Sequence, residues 1–221
     1  RACFFNATRR AADAFVGLVF RKAPFVRIPE AVSGIGAAMA GFANDADMLG
    51  TSLFGYAKNV VLEVVAAGRA GTLVDWEGDF EKRAYATAYR AEDIINWRVE
   101  RVNGRNVPTM IVLRERVAAA DAGAGADDFS SDVVEQLRVL RLAAGEPGAD
   151  GKVAYEYRVE VWREEERPAG RGGSKRKEVK WVLVDSRVPL RLGRPLPLIP
   201  FVFHGAQHSL PDVGVMPLSD L

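Results

Sequence analysis

The sequence predicts an α+β fold, with N-terminal amphipathic helices packed on a mainly antiparallel β-sheet, and three stretches carry that prediction. Leu53, Tyr56, Val60, Val64 and Ala67 repeat at helical spacing between a capping Thr51 and a terminating Gly68. Asn103-Gly104 separates two runs of apolar and long polar residues, and this dipeptide readily supplies the two positive φ angles of a type I′ hairpin turn. Lys152 to Glu164 alternates, with Val153, Tyr155, Tyr157, Val159 and Val161 on one face and Glu156, Arg158, Glu160 and Trp162 on the other. That is the pattern of a half-solvated strand.

Taken in order, Cys3 to Phe20 sets Phe4, Ala7, Ala11, Phe15 and Leu18 on one helical stripe, and the helix should end between Gly17 and Lys22. Ala23-Pro24 and Ile28-Pro29 hold the next segment extended, because proline clashes with a helical residue before it. Glu30 to Leu49 carries a helix signal diluted by Gly34, Gly36 and Gly41. After the Thr51 helix, Gly68 to Gly71 reads as a turn, Thr72 to Trp76 as a strand and Arg83 to Tyr89 as another. Val117 to Ser131 has the composition of a loop, and Val133 to Leu142 fits helix or strand equally. Val179 to Val188 returns from the strand over 152–164. Residues 1–190 are thus expected as one domain, and the Pro-rich 191–221 as an extended segment laid on a surface or leading out of it.

Closing the hairpin at Asn103-Gly104 places Val102 opposite Arg105, Trp97 opposite Met110 and Ile95 opposite Val112. Ile95, Trp97, Val99, Pro108, Met110 and Val112 then share the face expected in the core. Pro108 falls opposite Val99, where its missing N–H suits a sheet edge.

Composition excludes several classes. In 221 residues, 48% hydrophobic and 27% charged, 30 Lys plus Arg stand against 29 Asp plus Glu. The net charge of +1 provides no global field toward nucleic acid or an anionic membrane. A lone Cys3 cannot form an internal disulfide, and no run approaches the roughly 18 apolar residues of a membrane span. The chain starts at Arg1 and stops in the Pro-rich segment, as a piece of a longer polypeptide would.

Candidate chemistry is sparse. His204 and His208 have the i, i+4 spacing of helical zinc ligands, but Gly205 replaces a metalloprotease glutamate and Pro200 and Pro211 oppose a helix. Gly68 to Gly71 runs from helix into strand, the reverse of a phosphate loop. No G-x-S-x-G is present, and Asp45/Asp47, Asp127/Asp128 and Glu164 to Glu166 read as groups in loops or at strand ends without matching basic or histidine partners. The sequence therefore predicts no catalytic residue, no metal site and no cofactor. Arg171, Lys175, Arg176, Lys177 and Lys180 form the sharpest charge feature. They read either as a solvated hairpin tip that discourages edge pairing or as a nucleic-acid contact.

Several motifs recur together in one order: Phe5-Asn6-Ala7-Thr8 with Asp13; Gly17 to Pro24; Gly50 to Leu53; Gly68 to Asp75; and Ala91 to Arg98 followed by Val102 to Arg105. In this the chain resembles the phage portal-like proteins carrying the domain of unknown function numbered 4055. The resemblance implies the wing-like region of a portal subunit, a non-catalytic part of the ring at a tailed-phage head vertex. It implies self-association, typically as a dodecamer, with terminase, capsid and head-tail adaptor proteins as partners and double-stranded DNA passing through the channel. It places the protein in the virion, or in the cytoplasm of an infected or lysogenic bacterium, without membrane association. The family continues into a helical stem beyond the point where this chain stops. The loop around Asp121 and the basic tip around Lys175 look like local elaborations.

Overall fold

The computed structural model describes residues 6–25, 35–78, 80–102, 104–119, 131–147, 153–167, 178–211 and 215–218. Three helices come first: α1 (Ala7–Val19), α2 (Ile35–Asn44) and α3 (Leu53–Ala67). Strands follow as β1 (Arg69–Glu77), β2 (Arg83–Arg90), β3 (Ile94–Val102), β4 (Arg105–Ala118), β5 (Val133–Pro147), β6 (Val153–Arg167), β7 (Glu178–Arg187), β8 (Leu190–Arg191), β9 (Arg194–Pro195) and β10 (Phe201–Gly205). Every strand pairing is antiparallel. The fold is α+β, with most of its regular structure in strands. No helix among the described residues is long and apolar enough to cross a membrane.

Two compact units arise, Arg1–Ala91 with Pro200–Leu221 and Glu92–Ile199. This division differs from the single 1–190 domain expected from the sequence. The 1–190 stretch divides because β1 and β2 belong to one sheet and β3 to β7 to another, and β10, a strand inside the Pro-rich segment, joins the first.

In the first unit β10, β1 and β2 form a three-stranded sheet in that order. Helix α3 starts one residue later than expected, with Ser52 as the cap that accepts from Gly55 N–H at 3.1 Å. It ends on Gly68 at φ 78°, whose N–H bonds Val64 O. β1 starts at once at Arg69, so the expected 68–71 turn is absent and Arg69, Ala70 and Gly71 already pair with β10. Tyr56, Val60 and Val64 of α3 pack with Ala46, Ala70 and Ala86, flanked by Phe42 and Leu53. Alanine at 70 and 86 lets the helix approach the sheet closely. The opposite sheet face buries Leu73, Tyr89, Phe201 and Phe203, with the two phenylalanine rings edge-on at 5.0 Å.

The α1 stripe is rotated from the one expected. Ala12 is the buried residue and Leu18 is 68% exposed, while Phe20 just beyond the helix packs edge-on against Phe54 of α3 at 5.4 Å. Phe4 and Cys3 lie outside the described residues. Gly68→Ala should cost about 1 kcal/mol, because alanine tolerates the left-handed conformation poorly and Asn tolerates it better. Urea midpoints of the Ala and Asn variants would rank them, and equal midpoints would contradict the cap assignment.

The second unit is a meander in the order β3-β4-β5-β6-β7. Its buried face holds Ile94, Ile111, Leu113, Leu140, Leu142, Tyr157, Val159 and Val161. The β6 alternation matches the sequence pattern, and 133–147 resolves as the central strand. Val117 and Ala118 belong to β4, paired with Val134 and Val133, so the expected loop begins later than read.

The hairpin corrects the sequence expectation most sharply. Val102↔Arg105 and Val99↔Pro108 pair as expected, but an irregularity between Arg98 and Val99 leaves Thr109 as an extra residue. Trp97 therefore pairs with Ile111 and Asn96 with Val112. The inward residues are Thr109, Ile111 and Leu113, whereas Ile95 is 46% exposed and Trp97 only half-buried. Gly104 takes φ 81°, and Asn103 lies outside the described residues. β4 is not an edge strand, yet its pairing with β5 stops at Met110↔Arg141, so Pro108 has no β5 partner to disappoint.

Candidate functional site

The basic tip is only partly visible. Arg171, Lys175, Arg176 and Lys177 lie outside the described residues, and Lys180 stands exposed on β7. Its register partner across the sheet is Glu165, so an acidic neighbour meets the base of the hairpin. Opposite charges directly across a ladder attract, which offsets the local positive potential at this point.

His204 and His208 do not form a paired ligand set. His204 sits on β10 opposite Ala70, and His208 lies beyond the strand, where its Nδ1 accepts from Leu210 N–H at 3.4 Å. No group of three or more His, Cys, Asp or Glu side chains suited to a metal occurs among the described residues.

What the fold does bring together is a polar chain through the first unit. Tyr56 Oη donates to Thr72 Oγ1 at 3.0 Å, and Thr72 Oγ1 lies 2.8 Å from His204 Nε2. Helix α3, the central strand β1 and the edge strand β10 each supply one member. Tyr56 and Thr72 are buried, and His204 is half-buried. Burial pushes the Tyr56 phenol above its ordinary pKa, against the opposing hydrogen bond to Thr72. Burial also holds the His204 imidazole below the ordinary histidine range. Both shifts favour the uncharged forms, as desolvation must.

A second polar group crosses the sheet of the other unit. Glu115, Gln136 and Arg163 occupy one register row on β4, β5 and β6. Gln136 Nε2 donates to Glu115 Oε2 at 2.8 Å, Arg138 Nε donates to Glu115 Oε1 at 2.6 Å, and Arg163 donates to Gln136 Oε1 at 3.1 Å. On the opposite face Arg98, Met110, Arg141 and Arg158 form another row. Arg141 is held by Glu160 at 3.0 Å and Arg158 by Glu156 at 3.2 Å. Trp162 Nε1 also donates to Glu160, so this carboxylate ties β5 to β6 through Arg141 and a neighbouring indole.

A depression of about 500 Å³ in the second unit is lined by Val102, Gly145, Val153, Ala154, Tyr155, Glu156, Pro195 and Pro197. Its wall is mostly apolar, and among the described residues Glu156 is the one carboxylate in the lining, already engaged by Arg158.

Sequence reading missed the Tyr56–Thr72–His204 chain because its members are separated by 16 and 132 positions. One signal was present: Phe201 and Phe203 alternate with Val202 and His204, a short strand pattern between Pro200 and Pro211. No protein-family model matches the chain, and no curated protein matches it either. The likeness to the portal-like family rests on the residues quoted for it.

Proposed function

We propose that the chain is a structural, non-catalytic part of a tailed-phage or prophage portal, corresponding to the wing-like region of a ring subunit. In that role its partners are further copies of itself in a ring, terminase, capsid and head-tail adaptor proteins, and the double-stranded DNA that passes through. The observation that carries the proposal is the run Ala91 to Arg98 with Val102 to Arg105, the most distinctive part of the family likeness. That run builds β3 and enters β4 of a five-stranded antiparallel sheet. Residues placed in that way act as scaffold. The inward rows of apolar side chains and the cross-strand ion pairs of the same sheet suit an element that must hold its shape while neighbours press on it.

Electron microscopy of the full-length protein tests the proposal. Rings with an axial channel are the expected result, and a monodisperse monomer across salt and concentration would overturn it.

A further inference from the structure

We propose that His204 is a proton-operated latch for the edge strand β10: neutral, it accepts the Thr72 hydroxyl and holds the strand on β1, and protonated, it breaks that chain and loosens Phe201–Gly205.

The placement of β10 makes such a device possible. The strand pairs only with β1, over Arg69↔Gly205 to Leu73↔Phe201, and its other edge has no strand partner among the described residues. Strands of this kind exchange their hydrogen bonds with solvent more readily than central ones. Beyond Phe201 and Phe203, which anchor one face, the polar tie on the other face is His204 to Thr72.

One arrangement of protons gives every member of the chain a partner. Tyr56 Oη donates to Thr72 Oγ1, so the single hydroxyl proton of Thr72 is free to point at His204 Nε2. In that arrangement Nε2 is the acceptor, with the imidazole neutral and its proton on Nδ1. A second proton on the ring turns Nε2 into a donor toward the remaining lone pair of Thr72 Oγ1, so the Thr72 hydroxyl proton must turn away from it. The hydroxyl proton of the buried Thr72 loses its acceptor, and a half-buried ring takes on a charge.

The surroundings do not rescue that charge. On the same sheet face, Arg90 of β2 lies in the row Arg90–Ala70–His204. From α3 come Tyr56 and Glu63, the latter accepting Ala91 N–H at 3.5 Å. Asp47 acts on Tyr56 from the loop before α3, and His208 follows β10, with its carbonyl 2.5 Å from where a Cβ on Gly205 would stand. His204 makes no ion pair among the described residues. Burial thus lowers its affinity for a proton in the docked strand relative to the released one. The latch is fully set above the ordinary histidine pKa of about 6.5 and is lost as pH falls from there through the lower docked-state value.

Hydrogen exchange of the intact chain at pH 7.5 and 5.5, corrected for intrinsic rates, tests this alongside an NMR titration of both histidines. Protection of the Phe201–Gly205 amides should fall at pH 5.5 by up to about tenfold in all, the ceiling set by a released-state pKa of about 6.5, while β5 amides stay unchanged. His204→Gln should remove that pH dependence. In Thr72→Val, which removes the hydroxyl, the His204 pKa should rise toward the ordinary value. An unchanged β10 at pH 5.5, a wild-type His204 titrating near 6.5, or a pH dependence that persists in His204→Gln would each overturn the latch.

Discussion

Leu113→Ala should lower the stability of the five-stranded unit by about 2–5 kcal/mol, and Ile111→Ala by a similar amount, whereas Ile95→Ala should cost less than about 1 kcal/mol. Ile111 and Leu113 are completely buried in β4, and Ile95 is 46% exposed at the irregular end of β3. Removing a buried side chain forfeits its transfer free energy and leaves a cavity that close-packed neighbours fill only in part. An exposed isoleucine loses little of either. Equilibrium urea unfolding followed by fluorescence reports this unit, because Trp97, Trp162 and Trp181 lie in it and only Trp76 lies outside. If Ile95→Ala and Met110→Ala proved as costly as the two buried positions, the regular hairpin register would be right and the bulged one wrong.

That comparison marks where the sequence was legible and where it stopped being so. Gly104 at positive φ, the Val102↔Arg105 closure and the Val99↔Pro108 pair all follow from local chemistry. The extra residue at Thr109 does not, since a bulge is selected by how the strand fits its neighbours. One added residue reverses which side chains face inward beyond it. The same division of causes runs through the helices. Gly68 ends α3 for a local steric reason, but the inward face of α1 is set by Phe20 meeting Phe54, a tertiary contact. β10 stayed hidden because prolines flank it closely, although none falls within the five residues that pair. The candidate polar site was illegible for a plainer reason: Thr72 gives no signal in sequence until a strand from the far end of the chain sets a histidine beside it.

Glu115→Ala should destabilise the same unit by about 2–4 kcal/mol, somewhat under the cost of breaking a fully buried pair because the side chains retain some solvent contact. Glu115 and Arg138 are 14% and 20% exposed and meet at 2.6 Å. Without the carboxylate, Arg138 and the buried Gln136 each lose an acceptor on the inward face of the sheet. Replacing the pair by Leu and Met removes the charges together with the need to solvate them, so Glu115→Leu/Arg138→Met should cost less than the two single changes added. The coupling expected in a double-mutant cycle is about 1–3 kcal/mol, read from urea unfolding. Additive single changes would mean that the carboxylate and guanidinium are solvated separately. The polar row would then not hold β4, β5 and β6 in register. A strong coupling would assign that row the task of fixing register where the apolar core gives out, since Glu115↔Gln136 and Gln136↔Arg163 lie directly across the strands and a one-residue slip would bury each without its partner.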